Sequence, residues 1–409
     1  MWHTRDDEAM SVDRPVLIVV NEDWSFPSAL VVTMRNLLKW LTIDEFVVAS
    51  AYVPRRDVRA RAYEDDGMRV HRVLNPPVTG VSWRVDEVIR RMYFDTRLPA
   101  IALERVARRY DCGAVLAVYP DVHALTAGQQ AAARLGVPFA VYLHDTIVEG
   151  TQGLRIHARA QKVQAQVFSP DVLFFAMSEG LSDLLLRKYN LSAIPLPHCY
   201  NEMPAAPRVM PDGSPVSTAL FAGGIYEINR PAVARAARAA TRAGYRIVCT
   251  AQSAAEALVH DGVPAPVVEV KSLPSRADYL ALLAEQSALF VALSWPDESP
   301  LHRDELATIF STKAPEYLGS GRPILVHCPD DYFLAEFFRK HDCGLVVPDR
   351  GEEALVSAWS QLRNDRGCGA RLTTKAQAVL PYFDGQRISA TFREQLERLM
   401  SSVPPRASR

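Results

Sequence analysis

The stretch TALFAGGIYEINRPAVARAARAATRAGYRIVCTA (218–251) decides the fold that the sequence predicts. It opens on a short apolar run, turns at two glycines, passes through an alanine-rich helical segment and returns to an apolar run. A buried strand, a helix and a second buried strand in this order predict a βαβ unit with parallel strands. The stretch therefore indicates an α/β domain in which helices cover a parallel sheet.

The same alternation continues toward both ends of the chain. Further apolar runs are PVLIVV (15–20), FVVASAYV (46–53), MRVHRVL (68–74), AVLAVYP (114–120), PFAVYLHD (138–145), DVLFFAMS (171–178), VVEVKSL (267–273), ALFVALSW (288–295), ILVHCP (324–329) and GLVVPD (344–349). Residues 194–218 interrupt them with six prolines, a composition typical of a linker. We therefore predict two facing Rossmann-like domains, 1–203 and 204–383, with C-terminal crossover helices and a last helix, 384–409, returning to the first domain.

Composition narrows the class of protein. The 409 residues carry 46 Lys and Arg against 47 Asp and Glu, so the net charge of −1 argues against nucleic acid as a partner. The polar N-terminus does not resemble a signal peptide, and no apolar run approaches the roughly 20 residues of a membrane span. The six cysteines form no CxxC pair and are expected to be buried free thiols. These features predict a cytoplasmic protein.

The segment IFSTKAPEYLGSGRPILVHC (309–328) is the strongest candidate for binding. Ser311 or Thr312 can cap a helix whose first turn carries Lys313 and Glu316 on one face. A lysine opposes the dipole at a helix N-terminus, so its position favours an anion such as a phosphate, while Glu316 can accept hydrogen bonds from ribose hydroxyls. A solvated Lys–Glu pair on a capped helix has the same pattern and remains the alternative.

Two further segments follow strand ends, where α/β domains bind ligands. Gly223 and Gly224 allow backbone amides to approach a pyrophosphate at a helix N-terminus, and Arg230 can add a bidentate contact, although glycine pairs are also common in tight turns. His144 and Asp145 are expected to point into the cleft, against the alternative of a histidine bonded only to backbone.

The loop after the first strand, NEDWSFPSAL (21–30), contains no glycine. Asp23 and Trp24 are candidates to shape an acceptor site, since aromatic faces pack against sugar rings; a purely structural loop is an equal alternative. The basic stretch 88–110 is interpreted as a solvated helix face rather than a membrane-binding one.

TKAPEYLGSGRPIL (312–325) resembles the segment S/P-x-K-x-x-E-Y-L-x-x-G-x-P-I of GT-B-fold glycosyltransferases of the retaining family 4, or "group 1", type. The glycine turn, VYLHDTIVEG (141–150) and FAMSEGLSDLLLRKY (175–189) are similar to other segments of that family. Many relatives have a glutamate where this chain has Thr308.

The resemblance implies a metal-independent hexosyltransferase of GT-B architecture in carbohydrate biosynthesis. It implies that Glu316 binds the donor's ribose, that Lys313 lies near the donor, and that His144 and Asp145 lie near the transferred sugar and the acceptor. The diphosphate is expected at Gly223, Gly224, Arg230 and Thr312, and the base near the backbone of Leu273. No cofactor is expected. The co-substrates are a nucleoside-diphosphate sugar and a hydroxyl acceptor, namely a glycan, a glycolipid or a natural product.

Two other functions fit the same architecture. A nucleotide-sugar epimerase turns over donor without acceptor, and a non-catalytic protein binds the nucleotide sugar without transfer. An NAD-dependent oxidoreductase is disfavoured, because no G-x-G-x-x-G follows the first strand and no acidic residue ends the second.

Overall fold

The structure is a computed structural model that describes residues 14–25, 28–51, 62–65, 67–74, 96–151, 154–202, 217–271 and 275–402. The chain divides into two compact units. The first holds the described residues up to Cys199 and those from Gly385 onward, and the second runs from Tyr200 to Asp384. Within the described part of the chain, no helix is both long and apolar enough to cross a bilayer.

The strands are β1 (Val16–Val20), β2 (Phe46–Ser50), β3 (Ala62–Asp65), β4 (Met68–Arg72), β5 (Ala114–Tyr119), β6 (Phe139–Leu143), β7 (Leu173–Ala176), β8 (Ile194–Pro195), β9 (Ser217–Phe221), β10 (Tyr245–Cys249), β11 (Val268–Val270), β12 (Ala288–Ala292), β13 (Ile324–His327) and β14 (Leu345–Val346).

The helices in the described residues are α1 (Ala29–Leu38), α2 (Arg97–Arg109), α3 (Val122–Leu135), α4 (Leu154–Val167), α5 (Glu179–Tyr189), α6 (Arg230–Arg242), α7 (Gln252–His260), α8 (Arg276–Glu285), α9 (Arg303–Thr308), α10 (Ala314–Gly319), α11 (Phe333–Lys340), α12 (Glu352–Asn364), α13 (Arg366–Val379) and α14 (Gly385–Ser401).

The first unit has the sheet order β3-β4-β2-β1-β5-β6-β7-β8, in which only β3 is antiparallel to its neighbour. β1 is buried along its whole length between β2 and β5, with Leu17 paired to Val47 on one side and Val115 on the other. Because the chain runs outward from β1 in both directions, β1 and β5 form the switch point at which such sheets bind ligands.

The second unit has the order β11-β10-β9-β12-β13-β14, and all its strand pairs are parallel. Its switch point lies between β9 and β12. The alanine-rich helix α6 lies on this sheet with seven buried residues, six of them alanines, so small side chains let it approach closely. The predicted Rossmann-like α/β class is thus confirmed in both units.

The returning helix α14 packs in the first unit. Its Ser389 hydroxyl donates to the Leu37 carbonyl at 2.5 Å, and the rings of Phe392 and Phe175 lie 5.3 Å apart. Arg393 pairs with the buried carboxylate of Glu45, Nε to Oε1, at 2.7 Å. These contacts bury one face of the helix against α1 and the sheet.

Several expectations from the sequence were wrong in detail. The predicted linker does not begin at residue 194, because Ile194–Pro195 forms the edge strand β8 beside β7. The antiparallel strand β3 was not predicted. Trp24 is fully buried, so its ring faces the core and not a sugar. Residues 203–216 of the predicted linker and 88–95 of the basic stretch lie outside the described residues.

The cysteine prediction is confirmed as far as burial and pairing go. All six cysteines are buried and free. Burial raises the pKa of Cys249 to about 12, which removes the thiolate that reacts as a nucleophile or binds a metal. The cysteines therefore act as small apolar core residues.

Candidate functional site

The glycine turn after β9 is shaped by side chains on both sides. Gly223 has a φ of +81°, and a Cβ there would lie 2.8 Å from Cε of Lys313. A Cβ on Gly224 would lie 2.5 Å from Cζ of Tyr226. The positive φ therefore favours glycine at position 223, whereas at position 224 the space is taken by the outer end of the exposed Tyr226 side chain, which can move.

Some backbone amides of the turn donate hydrogen bonds within the protein, and others can donate to a ligand. The Gly223 amide donates to Thr250 Oγ1 at 2.8 Å, and the Tyr226 amide donates to Asn229 Oδ1 at 2.8 Å. The amides of Gly224 and Ile225 donate to none of the described residues. Of the two glycine amides predicted to meet a pyrophosphate, only that of Gly224 is available to one.

Lys313 lies at the N-terminal end of α10 beside this turn, at the carboxyl end of β9. Its Nζ lies 4.7 Å from the centroid of the Phe221 ring. No described residue accepts a hydrogen bond or forms an ion pair with this ammonium. Burial lowers the pKa of Lys313 to about 8, although the Glu316 carboxylate opposes that change. A half-buried ammonium at a strand end, with which no described residue forms an ion pair, favours an anionic ligand.

Glu316, one turn further along α10, is buried and pairs with residues of α8. Its Oε1 accepts from Arg276 Nη1 at 2.5 Å, and its Oε2 accepts from the Tyr279 hydroxyl at 2.7 Å. Burial raises the pKa of Glu316, while the charge of Arg276 and the hydrogen bond from Tyr279 oppose that rise. The alternative of a solvated Lys313–Glu316 pair does not fit, because Glu316 is buried and pairs with Arg276.

The other predicted residues of the second unit differ in their surroundings. Thr312 is half-buried and makes no hydrogen bond to the described residues. Arg230 is bound elsewhere, because its guanidinium pairs with Asp261 through Nε at 2.8 Å and Nη2 at 2.9 Å. Leu273, predicted near the nucleotide base, lies outside the described residues.

His144 and Asp145 directly follow β6 in the first unit, as the sequence placed them. The His144 ring lies edge-on to Tyr142, with centroids 4.4 Å apart. Its Nε2 is buried and has no hydrogen-bond partner among the described residues. Burial, and then the charge of nearby His198, lower the pKa of His144 to about 3. The imidazole is therefore neutral at physiological pH and can accept or donate a hydrogen bond without carrying charge.

The loop that contains Asp23 has a structural explanation. Asp23 Oδ1 accepts from the Ser25 amide at 3.0 Å and pairs with Arg72 Nη2 at 3.3 Å, and both side chains are almost fully buried. The Arg72–Asp23 pair joins the ends of β4 and β1. The purely structural alternative is therefore the one that fits this loop.

Sequence reasoning missed Arg276 and Tyr279. The signal was present, because Ser275 caps α8 and Arg276 is the first residue of that helix, where a cation opposes the helix dipole. Lys313 stands in the same position at the start of α10, so the reason for singling it out applies equally to Arg276.

Among the described residues, no three His, Cys, Asp or Glu side chains cluster so as to hold a metal ion.

Comparison with known proteins establishes the fold. No sequence-family model matches the chain, and no curated protein matches it. Several solved structures match the chain. Sucrose-phosphate synthase from Thermosynechococcus elongatus matches with a TM-score of 0.71 at 14% identity, over 95% of this chain and 100% of that one. HepE of Anabaena in complex with UDP and glucose matches with a TM-score of 0.68 at 13% identity, over 95% of this chain and 99% of that one.

A glycosyltransferase from Rickettsia africae matches with a TM-score of 0.64 at 11% identity, over 95% of this chain and 99% of that one. The chain therefore has the fold of the GT-B glycosyltransferases, as the resemblance of its α10 segment implied. At identities this low, the likeness establishes the architecture and leaves the reaction to be argued from the site.

Proposed function

We propose that this protein is a glycosyltransferase that moves a hexosyl group from a nucleoside-diphosphate sugar to a hydroxyl acceptor, with retention at the anomeric carbon and without a metal or other cofactor. The observation that carries the proposal is the Lys313 ammonium, which has no hydrogen-bond or ion-pair partner among the described residues and lies against Gly223 at the carboxyl end of β9. A donor diphosphate supplies the missing negative charge, and Glu316 receives the adjoining ribose.

The proposed chemistry is electrostatic. When the sugar–phosphate bond breaks, negative charge grows on the leaving diphosphate, and the Lys313 ammonium with the available amides of Gly224 and Ile225 stabilises it. These groups are in place before the reaction, so little reorganisation is needed as the charge develops. His144 and Asp145 orient the transferred sugar and the acceptor in this proposal, with His144 acting as a neutral hydrogen-bonding group.

The first test is a thermal-shift screen against UDP-, GDP-, ADP- and dTDP-sugars. A ligand that binds only the folded chain raises its melting temperature by mass action. The donor that binds is then incubated with a panel of glycan, glycolipid and natural-product acceptors, and the anomeric configuration of the product is read by NMR. Retained configuration supports the proposal, and inverted configuration contradicts that part of it.

The same assay separates the two alternatives. An epimerase converts the bound sugar nucleotide in the absence of any acceptor, whereas a transferase leaves it largely intact. A non-catalytic protein binds the donor and produces neither epimer nor glycoside. Neither alternative is favoured by a particular contact among the described residues.

Transfer is expected to be insensitive to chelation. The charge that a metal supplies in other transferases is assigned here to Lys313 and backbone amides, so initial rates with and without EDTA should agree within about twofold. The control is a rate measured with added Mg²⁺ after dialysis. A rate lost in EDTA and restored by Mg²⁺ would show that a metal carries part of this role.

Arg230 is expected to contribute little to diphosphate binding. Its guanidinium is already paired with Asp261, so reaching a phosphate would require breaking a bidentate contact. Arg230→Gln should change the dissociation constant of the donor less than about threefold, an energy smaller than that of one hydrogen bond to a charged group. A loss comparable to that of a Lys313 variant would restore the role that the sequence predicted.

A further inference from the structure

The carboxylate of Glu316 accepts hydrogen bonds from two side chains of α8. Arg276 donates through Nη1 to Oε1 at 2.5 Å, and Tyr279 donates through its hydroxyl to Oε2 at 2.7 Å. Arg276 is itself fixed by Glu202, whose Oε1 lies 3.1 Å from both Nε and Nη2. Its guanidinium also lies over the Tyr279 ring, 5.4 Å from the centroid.

The Glu316 carboxylate can still accept hydrogen bonds from a ligand. An ionised carboxylate accepts about four hydrogen bonds, roughly two on each oxygen. The protein uses one site on Oε1 and one on Oε2, so each oxygen keeps one acceptor site. Two neighbouring acceptors on one rigid carboxylate match two vicinal hydroxyls, such as the 2′ and 3′ hydroxyls of ribose. A protonated carboxyl would lose part of this capacity.

The charge state of Glu316 depends on its neighbours. Burial raises its pKa, Arg276 and the Tyr279 hydrogen bond lower it, and the carboxylate of Glu202 raises it again. Burial opposes the charge of Arg276 as well, yet Glu316 and Glu202 outweigh that effect and raise the arginine's pKa. The titratable and charged groups that act on this carboxylate are Arg276, Tyr279, Glu202, Lys313, Tyr200 and Tyr317.

We infer, resting on the proposed function, that Arg276 is a positioning residue that keeps the Glu316 carboxylate ionised and aimed at the cis-diol of a ribonucleoside. Tyr279 fixes the second oxygen. The site therefore selects ribonucleoside diphosphate sugars and rejects 2′-deoxy donors, because a deoxyribose leaves one buried acceptor without its donor.

The test measures donor affinity against pH for the wild type, Arg276→Gln, Arg276→Lys and Tyr279→Phe. Probes are UDP-, GDP- and ADP-glucose, each paired with its 2′-deoxyribose analogue, because a diphosphate diester does not titrate between about pH 5.5 and 7.5. The matched control is Arg242→Gln, in which an arginine of similar exposure loses its partner Glu353 away from Glu316. Melting curves of every variant verify that it folds.

We expect the affinity of the wild type to depend less on pH over this interval than that of Arg276→Gln, and we expect a preference for ribose of about tenfold or more, the factor expected for an acceptor left unpaired. In Arg276→Gln the affinity should fall as the pH drops, by up to about tenfold for each pH unit, and the ribose preference should shrink. Arg276→Lys should restore the pH profile of the wild type, because it restores the charge. Tyr279→Phe should weaken the ribose preference and should make the affinity less dependent on pH than it is in Arg276→Gln, because the charge of Arg276 remains.

The outcomes separate this inference from the proposed function. If the wild type binds a nucleotide sugar and Arg276→Gln keeps both the pH profile of the wild type and its full ribose preference, Arg276 has no positioning role and the inference is overturned while the function stands. If the wild type binds none of the nucleotide sugars, the proposed function itself fails. Should Arg276→Gln not fold, an unchanged ribose preference in Tyr279→Phe and an altered pH profile in Arg276→Lys would overturn the inference.

Discussion

Replacing Glu316 by Ala is expected to weaken the binding of the donor nucleotide by about a hundredfold or more. The variant loses two hydrogen bonds from ribose hydroxyls to a buried carboxylate, each worth about 1.5–3 kcal/mol, and roughly 1.4 kcal/mol corresponds to a factor of ten. It also removes a partner of Arg276, although Glu202 remains to neutralise that guanidinium. Calorimetric titration with the nucleoside diphosphate measures the change.

The control for this variant is Glu352→Ala. Glu352 also pairs with an arginine of the second unit, Arg238, at 2.8 Å, but on a different helix. The Glu352→Ala variant should bind the nucleoside diphosphate with the affinity of the wild type. Equal affinity in wild type and Glu316→Ala, with both proteins folded, would remove the ribose assignment from Glu316.

Replacing Lys313 by Met is expected to have two opposite effects. Binding of a nucleoside diphosphate should weaken by about thirtyfold or more, because a charge-assisted contact worth roughly 2 kcal/mol is lost, while binding of the free nucleoside stays the same. The fold should become more stable. A lysine whose pKa falls from 10.5 to about 8 disfavours the folded state at neutral pH, and the apolar side chain removes a penalty on the order of 3 kcal/mol.

Both the stability of the folded state and the diphosphate affinity should depend on pH through Lys313, in opposite directions. The unfolded chain binds more protons at Lys313 than the folded chain between about pH 8 and 10.5, so this residue's contribution to stability improves as the pH rises through that window. Diphosphate affinity should behave in the opposite way and decline above about pH 8, because the ligand needs the ammonium form. Equal losses for nucleoside and diphosphate, or an affinity that does not change between pH 7 and 9, would contradict the phosphate role.

The fold was predictable because apolar runs of strand length are a local signal. β1, β6 and β12 lie inside the predicted runs, since strands covered on both faces are apolar along their whole length. β8 was missed because it has two residues in a proline-rich segment. β3 was missed because its sequence AYED at the sheet edge carries no continuous apolar run.

The site was predictable only where a residue's local position was anomalous. Lys313 stood out because a cation at a helix N-terminus needs an anion. The partners of Glu316 lie 40 and 37 positions away along the chain, and no periodic pattern links α8 to α10 over that distance. The roles of Gly223 and Trp24 likewise depend on tertiary packing, which decides whether a side chain faces the core or a ligand.

If Lys313 and Glu316 bind the donor nucleotide, a crystal structure of the chain with its nucleoside-diphosphate sugar will show both contacts. The predicted result places a diphosphate oxygen within about 3 Å of Lys313 Nζ and a ribose hydroxyl within about 3 Å of a Glu316 carboxylate oxygen. A nucleotide bound with both side chains out of contact, or bound elsewhere on the protein, would contradict the claim.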